Sequence, residues 1–281
     1  MRLISRRCSF IALAVALVSL CFLVNHGVHQ IIVRKQISMN VLPKVPETDE
    51  CIHIVQLLRG NETVHRSVTM LKSLLYFQHR LPANKIQVNS TSTCLNDTRE
   101  EYTRTTIHVH VIVERATLPL VQATYSKWNV KDFYWHLYDM DKYLHLVKWI
   151  PNRHESGIAS LMKLFLPSVL PDRLEKVLCV DSDTLFNFDV LELWNHFRMF
   201  NATQALALAW EQQSAKSDCS YAQTIPIPPN GVNGGLVLMH LKRLRALDWD
   251  KLREDALNEY LQAFQVLNQG DQVSSNRRIL A

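Results

Sequence analysis

The chain has 281 residues, a formal charge of +5, 47% hydrophobic side chains and six cysteines. That is enough apolar material for one principal globular domain. Much of the small basic excess sits at Arg2, Arg6, Arg7 and Arg34, beside an apolar stretch, which argues against a nucleic-acid partner; the cysteines are dispersed without a C-x-x-C, which excludes a zinc knuckle or a disulfide scaffold.

The first element in chain order is apolar. "FIALAVALVSLCFLV" begins at Phe10, and no Asp, Glu, Lys or Arg occurs between Arg7 and Arg34. Such a stretch can cross a bilayer, and arginines ahead of it favour a cytosolic N-terminus. The expectation is a single-pass type II anchor at 10–33, with 1–9 as the cytosolic tail, 34–50 as a stem and the rest in the lumen. A cleaved signal peptide is the alternative, but no small-x-small cleavage site follows the apolar run. Sequons at Asn61, Asn89, Asn96 and Asn201 fit a lumenal fate.

At Ile52 the pattern changes. "IHIVQLL" reads as a buried strand, and Val64, Val68, Leu71, Leu74 and Leu75 share one face of a following helix. A polar insert at about 84–106 precedes a second strand, "IHVHVIV", and a helix around "LPLVQATYSKW". "FYWHLYDM" gives a third strand. Ile158, Leu161, Met162, Phe165 and Leu166 then fall at helical spacing, leading to a fourth strand, "KVLCV". A helix near "VLELWNHF", a strand "ALALAW", a proline-rich loop, an apolar run "GLVLMHL" and a charged helix from Lys242 follow. This alternation predicts an α/β domain with a mostly parallel sheet flanked by helices.

The fourth strand runs straight into Asp181-Ser182-Asp183. Ligands of open α/β sheets bind outside the carboxyl ends of strands. Two carboxylates so close repel each other unless a cation lies between them, and hard oxygen ligands suit Mn²⁺ or Mg²⁺. Such a metal would leave positions open for a diphosphate. A D-x-D is also common in surface turns, and a phosphatase of the haloacid dehalogenase type starts from the same strand and aspartates; there, however, a threonine stands where this chain has Leu185.

Two further stretches bear on the site. Asn233, Gly234 and Gly235 precede an apolar run; glycines let backbone approach a ligand closely, and an asparagine amide can donate to and accept from sugar hydroxyls. "GDQ" at 270–272 is the last, and both are weak signals alone.

Taken in order, "VLCVDSDTLFNFDVLELW", "NGVNGGLVLMHLKRLR" and "GDQ" resemble glycosyltransferase family 8, whose members have the GT-A fold. The stretch from "VKWIPNRHESG" to the aspartates looks most like the xylosyltransferase domain of the LARGE enzymes, and "ETVHRSVTMLKSLL" is similar to glucoside xylosyltransferases. The resemblance implies a GT-A domain over 51–272 with a divergent tail at 273–281, in a Golgi or endoplasmic reticulum membrane protein. It implies retaining, Mn²⁺-dependent transfer (Mg²⁺ the alternative) from a UDP-sugar, UDP-xylose by likeness, to a glycan or glycoprotein, without a dedicated general base, and leaves homo- and hetero-oligomers open. Asp181 and Asp183 match its metal pair, with Asp181 also near the ribose. Lys163, Asn233, Gly234, Gly235, Asp271 and Gln272 match donor or acceptor positions. His154 and Glu155 receive no catalytic role.

The family pattern continues beyond "GDQ" to a histidine that supplies a third metal ligand, whereas "VSSNRRILA" contains none. The expectation is therefore a C-terminally truncated or altered domain. Beside the transferase stand a non-catalytic anchored fragment that binds UDP or a partner protein, and a membrane-anchored lectin.

Overall fold

The computed structural model describes residues 51–81, 105–153, 157–210 and 232–267. The expected anchor and stem, most of the polar insert, the proline-rich loop and the tail lie outside them. No helix among the described residues is long and apolar enough to cross a membrane.

A six-stranded sheet organises the chain. Its strands are β1 (Ile52–Leu58), β2 (Ile107–Val113), β3 (Phe133–Asp139), β4 (Val177–Val180), β5 (Leu206–Trp210) and β6 (Val232–Met239), in the order β3-β2-β1-β4-β6-β5. The helices are α1 (Asn61–Phe77), α2 (Leu118–Tyr125), α3 (Leu144–Val147), α4 (Gly157–Met162), α5 (Leu166–Val169), α6 (Val190–Trp194), α7 (Leu241–Ala246) and α8 (Trp249–Phe264). Strands β1 to β4 run parallel to one another. The sheet is mostly parallel, as expected, with β6 running antiparallel to both β4 and β5. The strand order reverses between β1 and β4, and such a switch point opens a crevice at the carboxyl ends.

Alternation along each strand divides the core into two layers. Ile52, Ile54, Val109, Val111, Leu178 and Leu238 point to one face, where α1 and α2 bury Val64, Met70, Leu71, Leu74, Leu75 and Val121. Val55, Ile112, Cys179, Val237 and Met239 point to the other, against Val147, Leu161, Met162, Phe165 and Leu166. The periodicity expected for α1 holds, with Val68 only partly buried and Ser67 and Met70 completing the inward face. Gly60, at φ 78°, turns the chain from β1 into α1, and Thr63 donates its hydroxyl to the Gly60 carbonyl at 2.8 Å.

The helix expected through "GIASLMKLFLPSVL" is broken into three pieces: α4, a 3₁₀ turn at Lys163–Phe165, and α5. Pro167 has no N–H to give to the Lys163 carbonyl, so the chain tightens and Leu166 N–H takes that carbonyl instead. Carbonyls freed around the break are met from α7 and α8. Trp249 Nε1 donates to the Leu164 carbonyl at 2.6 Å, and the Arg245 guanidinium reaches the carbonyls of Pro167, Leu170, Pro171 and Leu174. The short helix α3 and the 3₁₀ turn at Met140–Tyr143 were not anticipated.

Leu71 is completely buried at the centre of the α1 face. Its replacement by alanine leaves a cavity that packed neighbours fill only in part, so Leu71→Ala is expected to lower unfolding free energy by about 3 kcal/mol in urea titration.

Candidate active site

Strand β4 ends at Val180, and Asp181 continues its ladder by one step, donating its backbone N–H to the Gly235 carbonyl at 2.8 Å. The D-x-D loop that follows is fixed at several points. Thr184 N–H closes a turn on the Asp181 carbonyl at 3.2 Å. Phe186 is buried against the α1 layer, and its N–H donates to Ser73 Oγ at 3.0 Å. Asp189 caps α6 by accepting from Leu191 N–H at 2.7 Å, and burial holds its carboxyl above the usual carboxylate range.

The glycine motif lies inside a strand, not in a turn ahead of one. Asn233, Gly234 and Gly235 belong to the first half of β6. The β5–β6 register jumps there, from Leu208 opposite Val237 to Ala209 opposite Asn233, so Gly234 to Leu236 leave the β5 ladder while β6 still follows β4. Asn233 Oδ1 accepts from Gly235 N–H at 2.8 Å. A Cβ at Gly235 would stand 2.9 Å from that Oδ1, so a side chain here would push the Asn233 amide aside, while Asp181 Oδ2 at 3.6 Å would be in ordinary contact.

Lys163 joins the two motifs. Its side chain is only 7% exposed, and its ammonium lies 2.7 Å from Asp181 Oδ1 while donating to the Gly234 carbonyl at 2.9 Å. It is therefore not the solvated helix lysine that its charge alone would suggest. The Pro167 break places it on the 3₁₀ turn under the crevice, where a strand-end carboxylate and a backbone carbonyl share its charge. Asp183, two residues on, is exposed.

Thus the structure brings Lys163, Asp181, Asn233, Gly234 and Gly235 together, with Asp183 on the adjoining loop. Asp271 and Gln272 lie outside the described residues, as do His154, Glu155, Asn89 and Asn96. Asn61 opens α1 and is exposed. Asn201 is exposed and accepts through Oδ1 from Thr203 N–H and Thr203 Oγ1, each at 2.9 Å. Among the described residues, no group of three or more His, Cys, Asp or Glu is placed to hold a metal ion.

Charged residues at the carboxyl ends of the other strands escaped the sequence reading. Arg59 follows β1 and pairs with Glu114 after β2 at 3.4 Å; Arg115 pairs with Asp139 at the end of β3 at 2.8 Å. The Arg115 guanidinium holds the Asp139 carboxyl below its usual range. Gly157, at φ 59°, opens α4 beside Arg59, where an added Cβ would stand 2.8 Å from the Arg59 guanidinium. Applying the carboxyl-end rule to every strand, and not only to β4, would have found these residues.

With this geometry established, comparison with known proteins decides the family. The glycosyl transferase family 8 model matches residues 81–276. The chain belongs to glycosyltransferase family 8. It is 32% identical over 205 residues to xylosyl- and glucuronyltransferase LARGE1 of Danio rerio, covering 72% of this chain and 24% of that protein. It is 30% identical over 210 residues to human LARGE1, covering 74% and 24% respectively. The chain thus spans about a quarter of the length of these relatives. In structure it is similar to mouse xyloside xylosyltransferase 1, with a TM-score of 0.57 and 15% identity over 81% of this chain and 80% of that one. It also resembles galactosyltransferase LgtC, with a TM-score of 0.53 and 18% identity over 80% of this chain and 69% of that one. These likenesses carry the fold, which is of the GT-A kind expected from the sequence.

Replacing Lys163 by methionine keeps most of the buried stem but removes the charge shared by Asp181 and Gly234. Asp181 is 39% exposed, so water reaches its carboxylate and the larger penalty of a fully buried orphan charge does not arise. Lys163→Met is expected to cost about 1–3 kcal/mol in chemical denaturation.

Proposed function

We propose that this family 8 glycosyltransferase moves a sugar, xylose, from a UDP-sugar to a glycan or glycoprotein acceptor, with retention of configuration and with Mn²⁺ as its metal (Mg²⁺ the alternative). The observation that carries the reading is the meeting of Asp181 with Lys163 and the Asn233-Gly234-Gly235 segment at the β1/β4 switch point. Xylose is supported by the 30–32% identity to proteins named as xylosyl- and glucuronyltransferases.

The donor set fits a hard divalent cation, since Asp181 and Asp183 offer only carboxylate oxygens and Asp183 faces solvent. The bound ion supplies positive charge against the diphosphate leaving group. Lys163 fixes the rotamer of Asp181 by holding Oδ1, so the carboxylate is already oriented when donor arrives. Gly234 and Gly235 keep the wall of the site free of side chains, and Asn233 orders that wall by accepting from Gly235 N–H through Oδ1. Asp271 and Gln272 are assigned to the donor side. The charged residues after β1 to β3 line the remaining edge of the crevice, with Arg59 and Arg115 each tied to an acid.

Release of UDP from a panel of UDP-sugars tests the reading on the full chain. UDP-xylose with Mn²⁺ is expected to be the productive pair, and Asp183→Asn to lower turnover by at least ~100-fold. Equal UDP binding with and without Mn²⁺, unchanged in Asp183→Asn, would sink the metal site. UDP binding without turnover of any donor favours the non-catalytic reading, and glycan binding that survives EDTA favours the lectin.

The location we propose is the Golgi membrane, with the domain lumenal behind the 10–33 anchor. Expressed in a secretory cell, the chain should shift to lower mass on endoglycosidase treatment, and Asn201→Gln should remove one step of that shift.

A further inference from the structure

One half of the sheet carries a group of side chains that the site does not use. On the face turned toward α3 and α4, the register aligns His53 of β1 with His108 of β2 and Tyr134 of β3, and one step on aligns His110 with His136. The next step pairs Ile112 with Tyr138. Four imidazoles and two phenols thus stand as a ladder across three parallel strands.

The rings are in contact and bonded to one another. His53 Nδ1 lies 3.1 Å from His110 Nε2, His108 Nδ1 lies 3.0 Å from His136 Nε2, and His110 Nδ1 lies 2.9 Å from the Tyr138 hydroxyl. His110 stacks on His136 with centroids 4.8 Å apart, and His108 stacks on His53, Tyr134 and His136. In each His–His hydrogen bond one nitrogen must accept, so at least one imidazole of each pair has to be neutral.

The neighbours offer no relief to a positive charge. Arg173, in the turn before β4, acts on His53, His110 and His136 and is itself cationic. Tyr143, from the 3₁₀ turn after β3, acts on Tyr138, and the Trp194 ring of α6 lies tilted to His53 with centroids 6.3 Å apart. No carboxylate acts on any of the four imidazoles. Five of the eight imidazole nitrogens are engaged within the ladder, and among the described residues no three His, Cys, Asp or Glu are placed to hold a metal ion.

We propose that this imidazole ladder is an acid-sensitive element: its protonation loosens β1, β2 and β3 while the β4–β6 half stays folded, and so dismantles the crevice edge that Arg59, Glu114, Arg115 and Asp139 form. Burial first, and the neighbouring imidazoles after it, push His53 down to about 4 and His110 to about 3 from an ordinary 6.5. His108 and His136 move the same way, also mainly through burial.

The folded chain therefore binds fewer protons than the unfolded chain once pH falls below 6.5, and stability declines from there toward pH 4 for His53 and pH 3 for His110. For His53 alone, the folding equilibrium at pH 5 is ~30-fold weaker than well above pH 6.5, given its fall to about 4. The element concerns folding and not sugar transfer, so it stands or falls apart from the proposed reaction.

The test is urea unfolding of the full chain between pH 7.5 and 4.5, for the natural sequence and for His53→Leu and His136→Phe, with imidazole resonances of the natural protein followed by NMR. The variants are expected to lose less stability on acidification, with His53→Leu removing ~30-fold of the decline at pH 5. Hydrogen exchange should show protection lost first in 52–58, 107–113 and 133–139, and kept longer in 177–180 and 232–239. Parallel pH curves for all three chains, imidazoles titrating near 6.5, or uniform loss of protection would each overturn the proposal. The NMR titration decides the matter if the variants do not fold.

Discussion

A buried lysine must find oxygen for its charge, and the arrangement of the site follows from how Lys163 does so. Its partners are the Asp181 carboxylate and the Gly234 carbonyl, which belong to antiparallel neighbouring strands. The ammonium therefore bridges the two motifs at the end of the sheet, and it does so from a turn that exists because Pro167 interrupts a helix. An unpaired ammonium at this depth would be strongly disfavoured. The break in the helix, the carboxylate at the strand end and the irregular strand beside it are in this sense a single solution.

That interdependence explains what the sequence could and could not reveal. Strands β1 to β3 and helix α1 were legible because their apolar residues repeat with periods of 2 and 3.6. The direction of β6 was not, since a run such as "GLVLMHL" has the same hydrophobic pattern whichever way it pairs. The break at Lys163 to Phe165 was hidden by apolar spacing that continues through it; the proline was the one local warning.

The site was legible in part for a different reason. Asp181 and Asp183 stand out because adjacent carboxylates at the end of an apolar run conflict with local preference, and such conflicts mark function. The glycines stand out for the same reason, though only the fold shows that they lie within a strand and that Gly235 leaves room for the Asn233 amide. Arg59, Glu114 and Arg115 look like ordinary loop charges in sequence and become crevice residues only once three strands are seen to end side by side. The histidines of β1 to β3 alternate with apolar residues as any half-buried strand would, and their mutual stacking depends on a register that no single strand encodes.

The order β3-β2-β1-β4-β6-β5 also bears on how the chain reaches this state. Strands β1, β2 and β3 are joined in sequence and lie side by side, but the inner edge of β1 is closed only by β4, more than a hundred residues further along. On a ribosome, the first three strands emerge well before their central partner, with a row of backbone donors and acceptors still facing outward. Loop-closure entropy delays that long-range pairing. Biogenesis therefore contains an interval in which the middle of the eventual sheet is an open edge, and chaperone cover is needed most while β4 is still being made.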